Sequence, residues 1–516
     1  MPEYLYPGVY VEEIDTGNKP IEGVSTSTAG FLGIAERGPT TATFISSYAA
    51  FQRSFGTYYT DIKGNQAYLA YAVEGFFLNG GLRCWIARAT SSTAKTATIT
   101  SGAITVNSAG PGIYGNNIAF WIRAASIAPK DATRFRLTLY YWASSADAAA
   151  ALAAFDPKTG ILNPAPGQSE DFDNLSTNPN SSMYFAGALA GSSNLVTVSP
   201  AAGGALAVTA KPALLAGGDD GGALTLADFE GSSTDPTNLT GLAALNAVDE
   251  ISLLCCPDEN SQPAGQIAVQ LEAACSNLKD RFAILNSPAN AGVPSNVVPT
   301  VNSQRGYAAY YYPWLKVINP VNNIATLIPP GGHMAGIYAR SDNNENVAKD
   351  PANEPISGID SLQLPIDNQT QAVLNPIGVN CLRFFKGQGN LVWGGRTTSP
   401  DPDWQYVNVR RLFIYIEKSI QQGTQWVVFE PNDATTWARV RRSISDFLTG
   451  LWMQDMLQGA TKDQAFFVRC DSTTMTQADI ENGRLIAVIG VAPVYPAEFV
   501  IFRIGQWSGG ASVTEG

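Results

Sequence analysis

A single histidine, His333, is the only imidazole this sequence can bring to chemistry. Any Ser-His-Asp or Cys-His mechanism would run through it, with a nucleophile on a strained turn and a carboxylate to orient the ring. No G-x-S-x-G turn occurs, and His333 stands in PPGGHMAG, which reads as a loop or a helix start. The six cysteines (Cys84, Cys255, Cys256, Cys275, Cys381, Cys470) contain no C-x-x-C pair. Zinc-ligand spacing and a disulfide framework are therefore both missing, and buried reduced thiols are expected. The phosphate-cradling P-loop fails because no Gly-Lys dipeptide exists. Gly217-Gly218-Asp219-Asp220-Gly221-Gly222 lacks G-x-G-x-x-G spacing and reads as a turn between domains. Asp171-Phe172-Asp173-Asn174 opens like an EF-hand loop, but Leu175 stands where a ligand belongs and no glycine follows. A carboxylate pair for glycosidic chemistry stays open among 44 acids, and nothing singles out two of them. Arg410-Arg411 and Arg439-Arg441-Arg442 read either as solvated helix faces or as contacts with an acidic patch on a neighbour. The expectation is no catalytic, cofactor-binding or metal-binding residue, and a chain that is not an enzyme.

Composition points to assembly. The chain has 516 residues, enough for about three domains. Lys+Arg is 32 against 44 Asp+Glu, a net charge of −12, which disfavours coating a nucleic acid. Only 15% of residues are charged, against about 25% in an ordinary soluble domain. A large chain with so few charges is expected to cover much of its surface with other chains. The Leu485 to Tyr495 stretch falls well short of the roughly 18–20 apolar residues of a spanning helix. Met1-Pro2-Glu3-Tyr4 carries no export signal. Folding in a cytoplasm is expected, without direct membrane insertion.

The elements that must position any site follow from periodicity. Val9 to Ile14 is a strand at the extreme start, which needs a partner in the fold or in another chain. Ala29 to Ala35 is a buried strand, Gln66 to Phe77 a helix, and Cys84 to Arg88 a strand. From Ser91 to about Gly217 the composition turns to Ala, Ser, Thr and Gly with strand-like runs such as Phe135 to Trp142, a β-rich insertion. Ile251 to Cys256, a helix from about Gln266 to Leu278, and Arg281 to Leu285 make a parallel βαβ unit covered on both faces. Asn390 to Trp393 is a strand. Val409, Leu412, Phe413, Ile416 and Ile420 mark one face of a helix. Gln425 to Phe429 reads as a strand, and Pro431-Asn432-Asp433 opens a second helix. Ala465 to Cys470, Arg484 to Val491 and Phe499 to Ile504 read as further strands, the last near the chain end.

The two ends of the sequence resemble the contractile tail sheath family of phages and phage-like bacterial injection systems. Tyr6 to Ile14 (YPGVYVEEI), Ile21 to Gly33 (IEGVSTSTAGFLG) and Phe76 to Arg88 (FFLNGGLRCWIAR) carry the match at the front. Leu374 to Arg383 (LNPIGVNCLR), Trp393 to Thr397 (WGGRT), Val407 to Leu412 (VNVRRL), Val428 to Asn432 (VFEPN) and Ala492 to Phe502 (APVYPAEFVIF) carry it at the back. PIEGVSTSTAGF is closer to the injection-system branch.

The resemblance implies a multidomain α+β and α/β fold. A sheath core would be built from N- and C-terminal segments, carrying a subtilisin-like, non-catalytic α/β domain and a β-rich insertion. The implied divisions are an N-terminal arm 1–20, core 21–90, insertion 91–216, α/β domain 217–366, C-terminal sheath domain 367–497 and C-terminal arm 498–516. It implies a structural subunit that stacks as sixfold rings around an inner tube and contracts to drive that tube through a target membrane. Arm strands Val9, Tyr10, Val11 and Glu12, and Val500, Ile501, Phe502 and Arg503, would add to sheets of neighbouring subunits. Gln454, Asp455, Gln458 and Lys462 would face the tube. The implied partners are copies of the chain, the tube protein, and baseplate and terminal cap proteins, with no cofactor and no nucleic acid. The particle, a phage tail or phage tail-like injection particle, would assemble in the cytoplasm. Two other readings compete: a hydrolase on the α/β domain, and a β-rich surface-binding protein.

Overall fold

The computed structural model describes residues 20–60, 64, 66–127, 133–202, 206, 208–261, 265–289 and 296–501. An eight-stranded sheet organises them. Its order is Gly389–Trp393, Val379–Phe385, Ala308–Tyr312, Phe282–Asn286, Leu253–Cys255, Ala29–Gly33, Cys84–Arg88 and Thr43–Ile45. The six inner strands run parallel and the two edge strands antiparallel. The inner runs are apolar without alternation because both faces are covered: Ala29–Gly33, Phe282–Asn286 and Ala308–Tyr312 are buried at every residue. One layer is Leu69–Leu78 with Gly331–Asn344, held by edge-on ring contact of Phe31 with Phe76 and by Phe282 against Tyr338. Gly241–Asn246 and Gln266–Leu278 pack on the strands as a further layer.

The first pair of helices meets backbone to backbone, which only small residues allow. A methyl on Gly332 would lie 2.3 Å from Ala72 Cα, and one on Gly336 would lie 2.4 Å from Phe76 O. Both obstacles are backbone, so they cannot rotate away. Gly336→Ala should therefore force the helices apart and cost about 2–3 kcal/mol, read as a lower urea midpoint with unchanged slope.

Residues 97–215 hold an apolar core of their own, including Ile104, Phe120, Leu137 and Val196. It lies between a three-stranded antiparallel sheet (Thr98–Ser101, Ile104–Ser108, Val196–Pro200) and a four-stranded one (Ala213–Leu214, Ile118–Ala124, Arg134–Tyr141, Gln168–Ser176). Asp171 is a strand residue bound to Arg136 and Thr138, with Arg123 3.5 Å away, which is the setting of an ion pair rather than a calcium loop.

The C-terminal part is built on Val407–Gly423 and Ala434–Met453. Asp433 caps the second helix through the Thr436 N–H at 2.9 Å. Leu412, Ile416, Val440, Ile444 and Leu448 form the shared core, and Ile21 inserts into it from the front of the chain. The expected strand Gln425 to Phe429 is instead a 3-10 turn, Gln425–Val427. Its residues favour strands, but no strand lies beside them, so local turn geometry wins. The expected helix start at Gln66 moves to Leu69, because Gln66 is drawn into a bridge with Thr60 and its side chain into the Tyr59 and Ala67 carbonyls.

Candidate assembly surface

In an open parallel sheet the place to look for a ligand is where strand order reverses. Here the chain moves outward from Ala29–Gly33 to Cys84–Arg88, then returns beside Ala29–Gly33 with Leu253–Cys255. A cleft of about 680 Å³ opens there, lined by Ile34, Tyr68, Arg88, Asp258, Asn260 and Trp314 among others. Its charges are spent inside the fold. Asp258 accepts the Ile34 and Tyr68 N–H groups at 2.7 and 2.8 Å, and burial pushes its carboxyl up to about 7 against those two bonds. Arg88 donates to the carbonyls of Ala35, Gly38 and Pro111. His333 lies in the first turn of Gly331–Asn344, 2% exposed and packed against Gly75. Burial pushes its pKa down to about 4, and its Nδ1 has no hydrogen-bond partner. A neutral ring without an orienting carboxylate is a core residue, not a base poised for work. The six cysteines are free and buried, and no cluster of metal-ligating residues occurs among the described residues.

Both readings of Arg410-Arg411 require correction: neither residue is solvated or free to meet a neighbour. Arg410 is 2% exposed, stacked between the rings of Tyr307 and Trp404. Arg411 is 3% exposed and binds Asp342 through two nitrogens, at 2.9 and 2.5 Å. Arg439 lies over the Trp426 ring, and Arg442 is exposed beside Asp446.

The surface that invites another chain lies on the C-terminal part. Phe466–Arg469 pairs antiparallel with Val488–Val491, and among the described residues the two form a sheet of only two strands. Each strand keeps an edge with no strand beside it, a template for strand addition. Phe467 and Val488 stand exposed on it.

The chain leaves this domain in a defined way. The Ala492 N–H donates to the Ala465 carbonyl and its own carbonyl accepts from Gln458 N, each at 2.8 Å, and Val494 O accepts from Asn408. Glu498 is anchored by four donors. Its carboxylate accepts Arg396 Nε and Nη2 at 2.8 and 2.6 Å, Asn375 Nδ2 at 2.6 Å and Tyr406 Oη at 3.1 Å. Burial pushes this carboxyl up, but the Arg396 and Asn375 hydrogen bonds outweigh it and hold it below the usual carboxylate range. Beyond it Phe499, Val500 and Ile501 are 73%, 67% and 79% exposed and lie in no strand of this chain. The expected final strand is therefore not formed within the subunit at its described residues.

Of the expected arm residues, Val500 and Ile501 occupy this exposed tail, while Val9, Tyr10, Val11, Glu12, Phe502 and Arg503 lie outside the described residues. Gln454, Asp455, Gln458 and Lys462 are all exposed around the turn that follows Ala434–Met453. Residue-type reasoning missed Arg396, Asn375, Tyr406 and Glu498. The available signal was only that Asn375, Arg396 and Glu498 stand in LNPIGVNCLR, WGGRT and APVYPAEFVIF, segments that carry the family resemblance.

Two adjoining family models match this chain: the phage tail sheath protein central domain over residues 231–398 and the phage tail sheath C-terminal domain over residues 399–506. The tail sheath protein of Vibrio phage KVP40 is 27% identical over 223 residues, 42% of this chain. That of Enterobacteria phage T4 is 25% identical over 203 residues, 38% of this chain. The chain spans about a third of the length of these relatives, 32% and 29%. Among solved structures, the PVC sheath complex of an extracellular contractile injection system, in the contracted state, is 21% identical with a TM-score of 0.55. The contracted helical sheath of the anti-feeding prophage is 22% identical with a TM-score of 0.54. Each match covers 98% of this chain and 99% of the other, a likeness of fold that includes the insertion. With the two models together reaching over more than half of its residues, the chain belongs to the phage tail sheath family.

Proposed function

We propose that this chain is the structural subunit of a contractile sheath. The observation that carries the reading is the pairing of a donor with an acceptor on one domain. Among the described residues, apolar Phe499, Val500 and Ile501 follow Glu498 outside any strand, and the two-stranded sheet has no third strand beside it. A two-stranded sheet is marginal by itself and gains from added strands. Tail into sheet edge is a head-to-tail contact, which propagates into a helical tube instead of closing as a dimer. The partners in this reading are copies of the chain in sixfold rings, an inner tube, a baseplate and a terminal cap.

The N-terminal arm 1–20, with Val9 to Glu12 as its strand, and the C-terminal arm 498–516 link subunits. Residues 21–90 and 367–497 build the sheath core, 91–216 decorate the outside, and 217–366 are a non-catalytic α/β domain whose strands Leu253–Cys255, Phe282–Asn286 and Ala308–Tyr312 lie in the same eight-stranded sheet as strands of the core segments. Gln454, Asp455, Gln458 and Lys462 form the tube-facing surface. Contraction runs on surface burial, not on a nucleotide. At about 25 cal/mol per Å², a few hundred Å² of apolar area per subunit supplies several kcal/mol, summed over many copies. The particle forms in the cytoplasm as a phage tail or tail-like injection device, and the subunit catalyses no reaction. No helix among the described residues is long and apolar enough to cross a membrane.

Electron microscopy of particles from cells expressing the chain with its genomic neighbours tests this. Hollow sixfold tubes in long-narrow and short-wide forms are expected. Only monodisperse globules, with a tube-forming protein present, would sink the reading.

A further inference from the structure

We infer that Glu498 and Arg396 form the fixed root of the C-terminal arm, a clamp that ties the arm's point of departure to the parallel sheet. The inference rests on the reading that residues beyond Glu498 pair with a neighbouring subunit. The chain of constraint is continuous. Asn380 is fully buried on an inner strand of the parallel sheet. Its side chain holds the backbone of Arg396 on both sides, accepting the N–H and donating to the carbonyl, each at 2.7 Å. The Arg396 guanidinium then grips Glu498 bidentately, with Asn375 and Tyr406 completing four donors on one carboxylate. Three residues later, Ile501 is 79% exposed.

A bidentate guanidinium-carboxylate pair fixes direction as well as distance. An arm that must reach the same sheet edge on every neighbour needs that fixed direction, because a freely swinging tail dilutes its own effective concentration at the target edge. The clamp also resists pulling. When subunits move relative to one another, force on the arm arrives at Glu498 and passes through Arg396 and Asn380 into the sheet, not into the marginal two-stranded sheet. Glu498 and Arg396 are positioning residues, since neither needs to touch the neighbour.

The test uses the full chain with Glu498→Gln, Tyr406→Phe, and a truncation after Glu498 for comparison. Three readouts are taken: the urea midpoint, hydrogen exchange of the hydrogen-bonded amides of residues 396, 492 and 498, and the concentration for half-maximal sheath assembly by sedimentation and electron microscopy. Glu498→Gln should leave the main unfolding transition in place, speed exchange of the amides of residues 396, 492 and 498 at least tenfold, and raise the assembly concentration about tenfold. Tyr406→Phe, which removes one donor of four, should fall between. Assembly of Glu498→Gln at the wild-type concentration while the truncation fails would overturn the clamp and keep the arm. Normal assembly by the truncation would overturn both. Should Glu498→Gln fail to fold, Tyr406→Phe decides: wild-type exchange and assembly together would reject the clamp.

Discussion

Arg411→Ala is expected to destabilise the chain by about 3–5 kcal/mol, the usual cost of stripping one partner from a buried ion pair. Arg411 and Asp342 are each 3% exposed at the side chain. Removing the guanidinium would leave Asp342 charged, buried and without either of its two charge-assisted bonds. The same guanidinium donates to the Thr26 carbonyl and lies 4.8 Å from the Tyr338 ring centre. One side chain on Val407–Gly423 thus ties the C-terminal part to Gly331–Asn344 of the α/β layer and to the front of the chain. Burial opposes the charge of Arg411, yet Asp342 outweighs it and holds the guanidinium pKa above its ordinary value. Arg411→Lys should also fail, because an ammonium cannot reproduce the fork on Asp342. The double variant Arg411→Met with Asp342→Leu should recover most of the loss, since no orphaned charge remains. Urea unfolding of the isolated chain measures all three. A loss under about 1 kcal/mol for Arg411→Ala would mean the pair is solvated and the argument is wrong.

The same residue shows where sequence reading stops. Apolar runs without alternation announced four of the six parallel strands, since a strand covered on both faces has no polar side to show, while Ala308–Tyr312 and Val379–Phe385 went unread. Cys84–Arg88 was legible to the residue, and the helix read from about Gln266 to Leu278 is Gln266–Leu278. The stripe Val409, Leu412, Ile416 and Ile420 identified its helix by period alone. Arg410 and Arg411 on that helix read as surface residues, either solvated or meeting a neighbour, because a charge has no periodic signature of its own partner. Asp342 lies 69 positions away and the Tyr307 and Trp404 rings come from other elements. Glu498 and Arg396 stand 102 positions apart. Polar pairing is spatial, so single-sequence periodicity cannot reach it. The reverse error occurred at Gln425 to Phe429, where strand-forming residues lack a strand to pair with and Phe429 ends fully exposed with a left-handed φ of 70°.

Removing residues 499–516 is expected to abolish sheath assembly while leaving the subunit folded, with its unfolding free energy within about 0.5 kcal/mol of wild type, as for surface changes away from packed features. Phe499, Val500 and Ile501 bury little against their own chain, so their loss uncovers no core. The truncated subunit keeps the two-stranded sheet that would accept a neighbour's arm in the proposed lattice and loses the arm it would donate. In a head-to-tail lattice such a subunit can join a growing end and fail to extend it. Mixed with intact chains it should shorten sheaths as its fraction rises, without lowering the stability of either species. Val500→Glu makes the same point without a deletion, by placing an unpaired charge where the arm would be buried in the neighbour. Sedimentation and electron microscopy of mixed assemblies read the outcome directly. Sheaths of wild-type length from truncated subunits alone would show that the arm contributes nothing. The head-to-tail account of the lattice would then have to be rebuilt on other surfaces of the domain.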